Sequence, residues 1–177
     1  TLSEKVEVLR ATVEVAGGKV PVLSGIAEFT TQGACDTVKA AGEAGVDGIM
    51  LLPAMVYKSD ARETIAHFRT VANSTHLPIM CYNNPPVYRV DITPEMFKEL
   101  IDVENIVVIK EASGNVPRIT DLFNALNDRF LIFAGLDDVA LESFMLGCTG
   151  WVSGLVDAFP QENRALWDAA MPGDYER

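Results

Sequence analysis

A short apolar run rich in β-branched residues returns about every 26 residues along this chain. That recurrence constrains the fold more than any other feature. The runs are Val20–Ala27, Asp47–Pro53, Leu77–Asn83, Asn105–Ala112, Phe130–Asp137 and Gly150–Leu155. Gly, Pro, Asn and Asp bound them, the pattern of buried strands. Helical patterns fill the intervals. Leu2, Val6, Leu9, Val13 and Ala16 step by 4, 3, 4 and 3, and Gly17-Gly18 closes that helix. Ser59-Asp60, Thr93-Pro94-Glu95, Asp137-Asp138 and Pro160-Gln161-Glu162 read as further helix starts, with caps, Pro or an acid in the first turn. The expectation is six strands and seven helices in one domain over residues 1–177.

Apolar strands that alternate with helices specify a parallel sheet of right-handed βα units. An open doubly wound sheet and a (β/α)8 barrel both satisfy that rule. The open sheet would carry a Gly-rich phosphate turn after an early strand, yet Glu28-Phe29-Thr30-Thr31 stands there and no GxGxxG or P-loop occurs. The barrel needs eight units and roughly 250 residues. At the observed spacing 177 residues hold fewer than seven units, and the chain opens on a helix. The pattern alone leaves both architectures standing.

The apolar fraction of 49% allows a sizeable core and excludes a disordered chain. Net charge is −11, and residues 101–177, with 5 basic and 13 acidic residues, hold −8 of it. Nucleic acid and anionic membranes are therefore unfavourable partners. No apolar run approaches the roughly 20 residues of a membrane span, and no secretory leader is visible. Cys35, Cys81 and Cys148 show no metal-site spacing, and their odd number suits a reducing, cytoplasmic location.

Lys110 ends the stretch Asn105-Ile106-Val107-Val108-Ile109-Lys110 on the face shared by Ile106 and Val108, while Glu111 points the other way. Catalytic groups of parallel sheets collect at the carboxyl ends of strands. Desolvation there favours a neutral amine, which attacks carbonyl carbons to give a Schiff base. The alternative is a lysine snorkelling into water. Tyr82 ends the preceding strand and could share a pocket with that amine as a proton shuttle, or simply pack there. Asn83-Asn84-Pro85-Pro86 reads as a rigid, non-helical turn, and Ser113-Gly114-Asn115 as a turn and cap. Asp137-Asp138 reads as a helix cap rather than a metal site, because His67 and His76, the two histidines, are badly placed to join it. No GxSxG follows a strand, and the last two loops lack Lys and Arg, which disfavours phosphorylated substrates.

Tyr82-Asn83-Asn84-Pro85 followed by Ile109-Lys110-Glu111-Ala112-Ser113-Gly114 resembles the dihydrodipicolinate synthase/N-acetylneuraminate lyase family. Thr1-Leu2-Ser3-Glu4 resembles the start of that family's second helix, and Leu136-Asp137-Asp138 and Gly150-Trp151-Val152-Ser153 its seventh and eighth strand regions. The resemblance implies an incomplete (β/α)8 TIM barrel, strands 3 to 8, lacking the first two strands, their Gly-Thr-Thr-Gly-Glu carboxylate loop and the C-terminal region. It implies a Schiff-base-forming lyase that acts on a small 2-oxo acid or cyclic imino acid, needs no cofactor or metal, and assembles as a homo-oligomer, a tetramer. Lys110 matches the imine-forming lysine and Tyr82 the proton-relay tyrosine, with Val152, Ser153 and Asn83 as substrate-binding positions. Two departures stand out: Val87 occupies the place of the synthases' arginine, and the family's neighbour-reaching tyrosine is displaced to Tyr57. Both weigh against dihydrodipicolinate synthases proper, and the segments Leu52–Lys58 and Asn83–Pro86 resemble 1-pyrroline-4-hydroxy-2-carboxylate deaminases more closely. A non-catalytic barrel remnant used for binding is the alternative of another class.

Overall fold

The computed structural model describes residues 1–173. In chain order the elements are α1 (Leu2–Ala16), β1 (Leu23–Ile26), α2 (Thr31–Ala44), β2 (Gly48–Leu51), α3 (Ala61–Ala72), β3 (Ile79–Asn83), α4 (Pro85–Tyr88) and α5 (Pro94–Lys98). They continue with β4 (Ile106–Glu111), α6 (Pro117–Leu126), β5 (Leu131–Ala134), α7 (Ala140–Met145), β6 (Gly150–Trp151) and α8 (Pro160–Ala170). Short 3-10 turns lie at Asn127–Arg129 and Leu155–Asp157.

All six strands are parallel and lie in the order β1-β2-β3-β4-β5-β6. A doubly wound sheet reverses its strand order at a switch point. No reversal occurs here, so every crossover runs the same way and the helices collect on one face. The fold is an incomplete (β/α)8 barrel, with β1 and β6 as open edges among the described residues.

The two faces of the sheet differ sharply. Towards the helices, Ile26, Ile49, Leu51, Ile79, Ile109 and Ile132 are at most 1% exposed and pack with Phe68, Val71 and Leu122. Each such side chain contributes about 1.5–3 kcal/mol of burial, so this layer holds the sheet. On the other face, Leu23 and Leu131 are 47% and 52% exposed. The α1 helix is anchored less firmly. Leu9, Val13 and Ala16 touch the core, but none of its residues is fully buried. Val8, Val15, Val20 and Leu23 line an apolar groove of about 700 Å³ beside it. Cys35, Cys81 and Cys148 are all buried free thiols. Among the described residues no helix is long and apolar enough to cross a membrane.

Helix starts follow the sequence signals in part. Asp60 caps α3 with a reciprocal bond from Glu63, and Thr93 caps α5. Two expectations need correction. Asn84-Pro85-Pro86 opens a helical turn, α4, which brings the α-helical segments to eight among the described residues. Pro at the first helical positions sacrifices only an amide that has no intrahelical partner, and Asn84 caps the turn through the Val87 amide. Asp137-Asp138 does not cap α7, whose start at Val139 has no side-chain cap. Asp137 instead accepts the Gly154 and Leu155 amides at 3.1 and 3.0 Å and fixes the loop after β6.

Gly135, directly after β5, donates its amide to the Glu111 carbonyl at 2.8 Å. A Cβ there would stand 2.7 Å from both the Ala112 Cβ and the Glu111 carbonyl oxygen. Gly135→Ala should therefore push β5 away from β4 and lower stability by about 1–3 kcal/mol. Chemical denaturation of the full-length protein measures that loss.

Candidate active site

The β3 and β4 strands run side by side in a register that sets Tyr82 opposite Lys110. Both stand at carboxyl ends of strands, where loops leave room for a ligand. The Lys110 Nζ lies 3.8 Å from the centroid of the Tyr82 ring. Lys110 is 6% exposed, so its amine is held over the phenol face rather than extended into water. No carboxylate of the described residues pairs with it. The nitrogen thus has an aromatic face beside it and no carboxylate partner.

The Tyr82 oxygen accepts a hydrogen bond from Asn84 Nδ2 at 2.9 Å. The Val87 amide needs an oxygen and takes Asn84 Oδ1 at 3.2 Å, which fixes the orientation of the Asn84 amide. With a lone pair so engaged, the phenol retains its own proton for a second partner. Tyr88 packs edge-on against Tyr82 with centroids 5.5 Å apart. Burial, then the neighbouring Tyr82, raise the Tyr88 phenol above its ordinary value, so it stays neutral.

Asn83 is one residue out of phase. It is fully buried on the opposite side of the strand, where Oδ1 accepts the Ile92 amide at 2.9 Å and Nδ2 reaches Glu111 at 2.9 Å. Its amide is engaged with protein partners on the face away from Lys110 and Tyr82. Strand alternation from Tyr82 already carried this signal, and Asn84 is the asparagine beside the phenol. Ser153 is likewise hydrogen-bonded within the protein. Its hydroxyl donates to Asn163 at 2.6 Å and accepts the Val156 amide at 3.0 Å, so it shapes the loop after β6. Val152 lies at the carboxyl end of β6 and donates its amide to Ala134 at 2.9 Å.

Sequence reasoning overlooked Phe133 and Gly150. Tyr82, Lys110, Phe133 and Gly150 form one row across four strands. The Phe133 ring fills the space a Cβ on Gly150 would need. A glycine in a strand marks such a close approach. Ser113 takes its expected place in a turn, its hydroxyl accepting the Asn115 amide.

The loops after β1 and β2 are joined through His67 of α3. Its Nε2 donates to the Leu52 carbonyl at 3.0 Å, which leaves Nδ1 to accept from the Thr31 hydroxyl at 2.9 Å. A cavity of about 230 Å³ lined by Phe29, Tyr57, Ser59 and His67 lies between these loops. Among the described residues no group of three or more His, Cys, Asp or Glu is arranged to hold a metal ion.

The family model of the dihydrodipicolinate synthetase family matches residues 1–177. The chain belongs to that family. It is 36% identical over 175 residues to the 4-hydroxy-tetrahydrodipicolinate synthase of Shewanella baltica, covering 99% of this chain and 60% of that protein. The Clostridium perfringens synthase is 33% identical over 174 residues, with 98% and 60% covered. Among solved structures, the synthase of Methylacidiphilum fumariolicum SolV superposes with a TM-score of 0.94 at 32% identity, covering 98% of this chain and 58% of that one. The chloride-inhibited dihydrodipicolinate synthase of Acinetobacter baumannii complexed with pyruvate gives 0.93 at 28% identity, with 99% and 60% covered. The chain thus spans about 60% of the length of these relatives. None of these four relatives is a deaminase.

The buried His67 yields a pH dependence. Burial, opposed in part by the bond to Leu52, lowers its folded pKa below the ordinary 6.5. The unfolded chain therefore takes up this proton first as pH falls. The His67 contribution to stability is complete above about pH 6.5 and is lost as pH drops below it. Denaturation midpoints of the full-length protein measured between about pH 7.5 and 5 should fall more steeply for wild type than for His67→Gln.

Proposed function

We propose that in the intact protein Lys110 forms an imine with C2 of a small 2-oxo acid, pyruvate being the simplest. The amine attacks the carbonyl carbon and the carbonyl oxygen leaves as water. The resulting iminium draws electrons from C2, so that C3 can release a proton and become a nucleophile. Tyr82 moves protons at the reacting atoms, using the hydroxyl proton that Asn84 leaves free. The observation that carries this reading is the amine of the largely buried Lys110, 3.8 Å above the Tyr82 ring at adjacent strand ends. The pyruvate complex of the Acinetobacter baumannii relative supports the substrate class.

The relatives favour a condensation of the 4-hydroxy-tetrahydrodipicolinate synthase type, with pyruvate as the imine partner. A second reading keeps the imine and changes the other substrate. Val87 stands 63% exposed on α4, and the Tyr57 hydroxyl is bound to Glu63 at 2.9 Å. Neither offers a cation to a second carboxylate. Assays of aldehydes and cyclic imino acids, with and without pyruvate, separate condensation from deamination.

Borohydride added to the full-length protein with pyruvate should fix a pyruvate-derived mass on Lys110, and mass spectrometry of peptides locates it. Lys110→Ala should abolish the adduct. Tyr82→Phe should slow its formation about 10²–10⁴-fold. An undiminished adduct in Lys110→Ala would end this reading.

A further inference from the structure

We infer that Glu111 is a positioning residue for Lys110 and Tyr82, acting through the side chain of Asn83; the inference rests on the imine reading above. Glu111 follows Lys110 on β4 and points to the helical side of the sheet, where it is 7% exposed. Both of its oxygens are occupied. Oε2 accepts from Asn83 Nδ2 at 2.9 Å, and Oε1 accepts the Ser113 amide at 2.7 Å. The same Asn83 nitrogen reaches Asp91 Oδ1 at 3.3 Å, and Asp91 takes two bonds from Arg118 of α6 at 2.8 and 2.9 Å. The Arg118 bonds hold the Asp91 carboxyl below the usual carboxylate range, so this end of the chain is ionic.

Register gives this chain its purpose. Asn83 pairs with Glu111 immediately beyond the Tyr82–Lys110 pair. The near face thus carries the amine and phenol, and the far face carries a carboxylate–amide bond between the same two strands. The pairing is irregular at its other end: Ile79 faces Ile106 while Met80 faces Val108, a slip of one residue. A one-residue slip turns every side chain to the opposite face. The alignment of Lys110 over Tyr82 is therefore held at the carboxyl ends of β3 and β4, and the Asn83–Glu111 bond is the side-chain contact that holds it.

Stability alone is a poor reason for the arrangement. A buried carboxylate loses hydration that its hydrogen bonds only partly return, and an apolar pair of the same volume serves a core as well or better. Ile106 and Ile109 on the same strand show that such side chains fit there. What a carboxylate adds is direction, because it fixes one rotamer of Asn83 and one path for the chain at Ser113.

The variant Glu111→Gln removes one acceptor at almost unchanged volume. Its amide then faces a donor on one side, either Asn83 Nδ2 or the Ser113 amide. Asn83 cannot turn to compensate without losing the Ile92 amide. In the full-length protein, imine trapping with pyruvate and borohydride should slow about tenfold or more at saturating pyruvate. The pyruvate concentration for half-saturation should change less than about threefold. Asn83→Ala should slow trapping similarly, and the double variant should lose little more, because the two residues act as a unit. Glu111→Asp keeps one of the two bonds and should fall between wild type and Glu111→Gln. It also serves if Glu111→Gln fails to fold.

Asn105→Ala supplies the structural control. It removes bonds to the Ala72 and Thr75 carbonyls at the opposite end of β4 and should lower Tm without slowing trapping. Wild-type trapping rates in both Glu111 variants, or an equal slowing in Asn105→Ala at matched Tm, would overturn the positioning role while the imine reading stands. Absence of a Lys110 adduct in the wild-type protein would overturn both.

Discussion

Ile26, Ile49, Leu51, Ile79, Ile109 and Ile132 make one continuous apolar layer between the sheet and its helices, and the remaining features hang from it. It is filled from one side only. Sequential strand order puts every crossover on the same face, so the helices seal that face and leave the other to its loops and whatever binds there. The layer keeps the strands in place without using the positions of Tyr82 and Lys110 on the other face. Lys110 can then tolerate burial over a phenol, because the cost is borne by a scaffold whose stability comes from elsewhere.

Alternation along two strands divides the work at their carboxyl ends. Tyr82 and Lys110 face one way, Asn83 and Glu111 the other. One pair brings together an amine and a phenol, and the other ties the same strands by a hydrogen bond between a carboxylate and an amide. The division also explains the two asparagines. Asn83 serves the sheet, and Asn84, at the cap of α4, serves the phenol. Neighbours in sequence, they belong to different environments because a strand ends between them.

Much of the fold was legible in the sequence because its signals are local. Strand runs, the Gly17-Gly18 stop and the caps at Asp60 and Thr93 each depend on a few adjacent residues. The barrel-or-open-sheet choice depends on strand order, which periodicity does not encode, and the family motifs around Tyr82 and Lys110 supplied it. The adjacency of those two residues was also legible, since each stands at the end of an apolar run. The rest of the site was not. Asp137 was read as a helix cap because an acid before a helix generally is one, whereas here it takes the Gly154 and Leu155 amides from a loop 17 residues further on. The motifs that contain Asn83 and Ser153 do not give their direction, which strand alternation and hydrogen bonds within the protein set. Phe133 and Gly150 gain meaning only from each other, across neighbouring strands.

The three cysteines turn the apolar layer into something that can be timed. Cys35 on α2, Cys81 on β3 beside Tyr82, and Cys148 before β6 are buried and unbridged. Burial pushes the Cys81 and Cys148 thiols up, away from the reactive thiolate. A thiol reagent therefore meets each of them only when its own part of the structure opens. The order in which they are modified is a clock with three hands, telling which part of the layer opens first and whether the strand that carries the phenol is the last to let go.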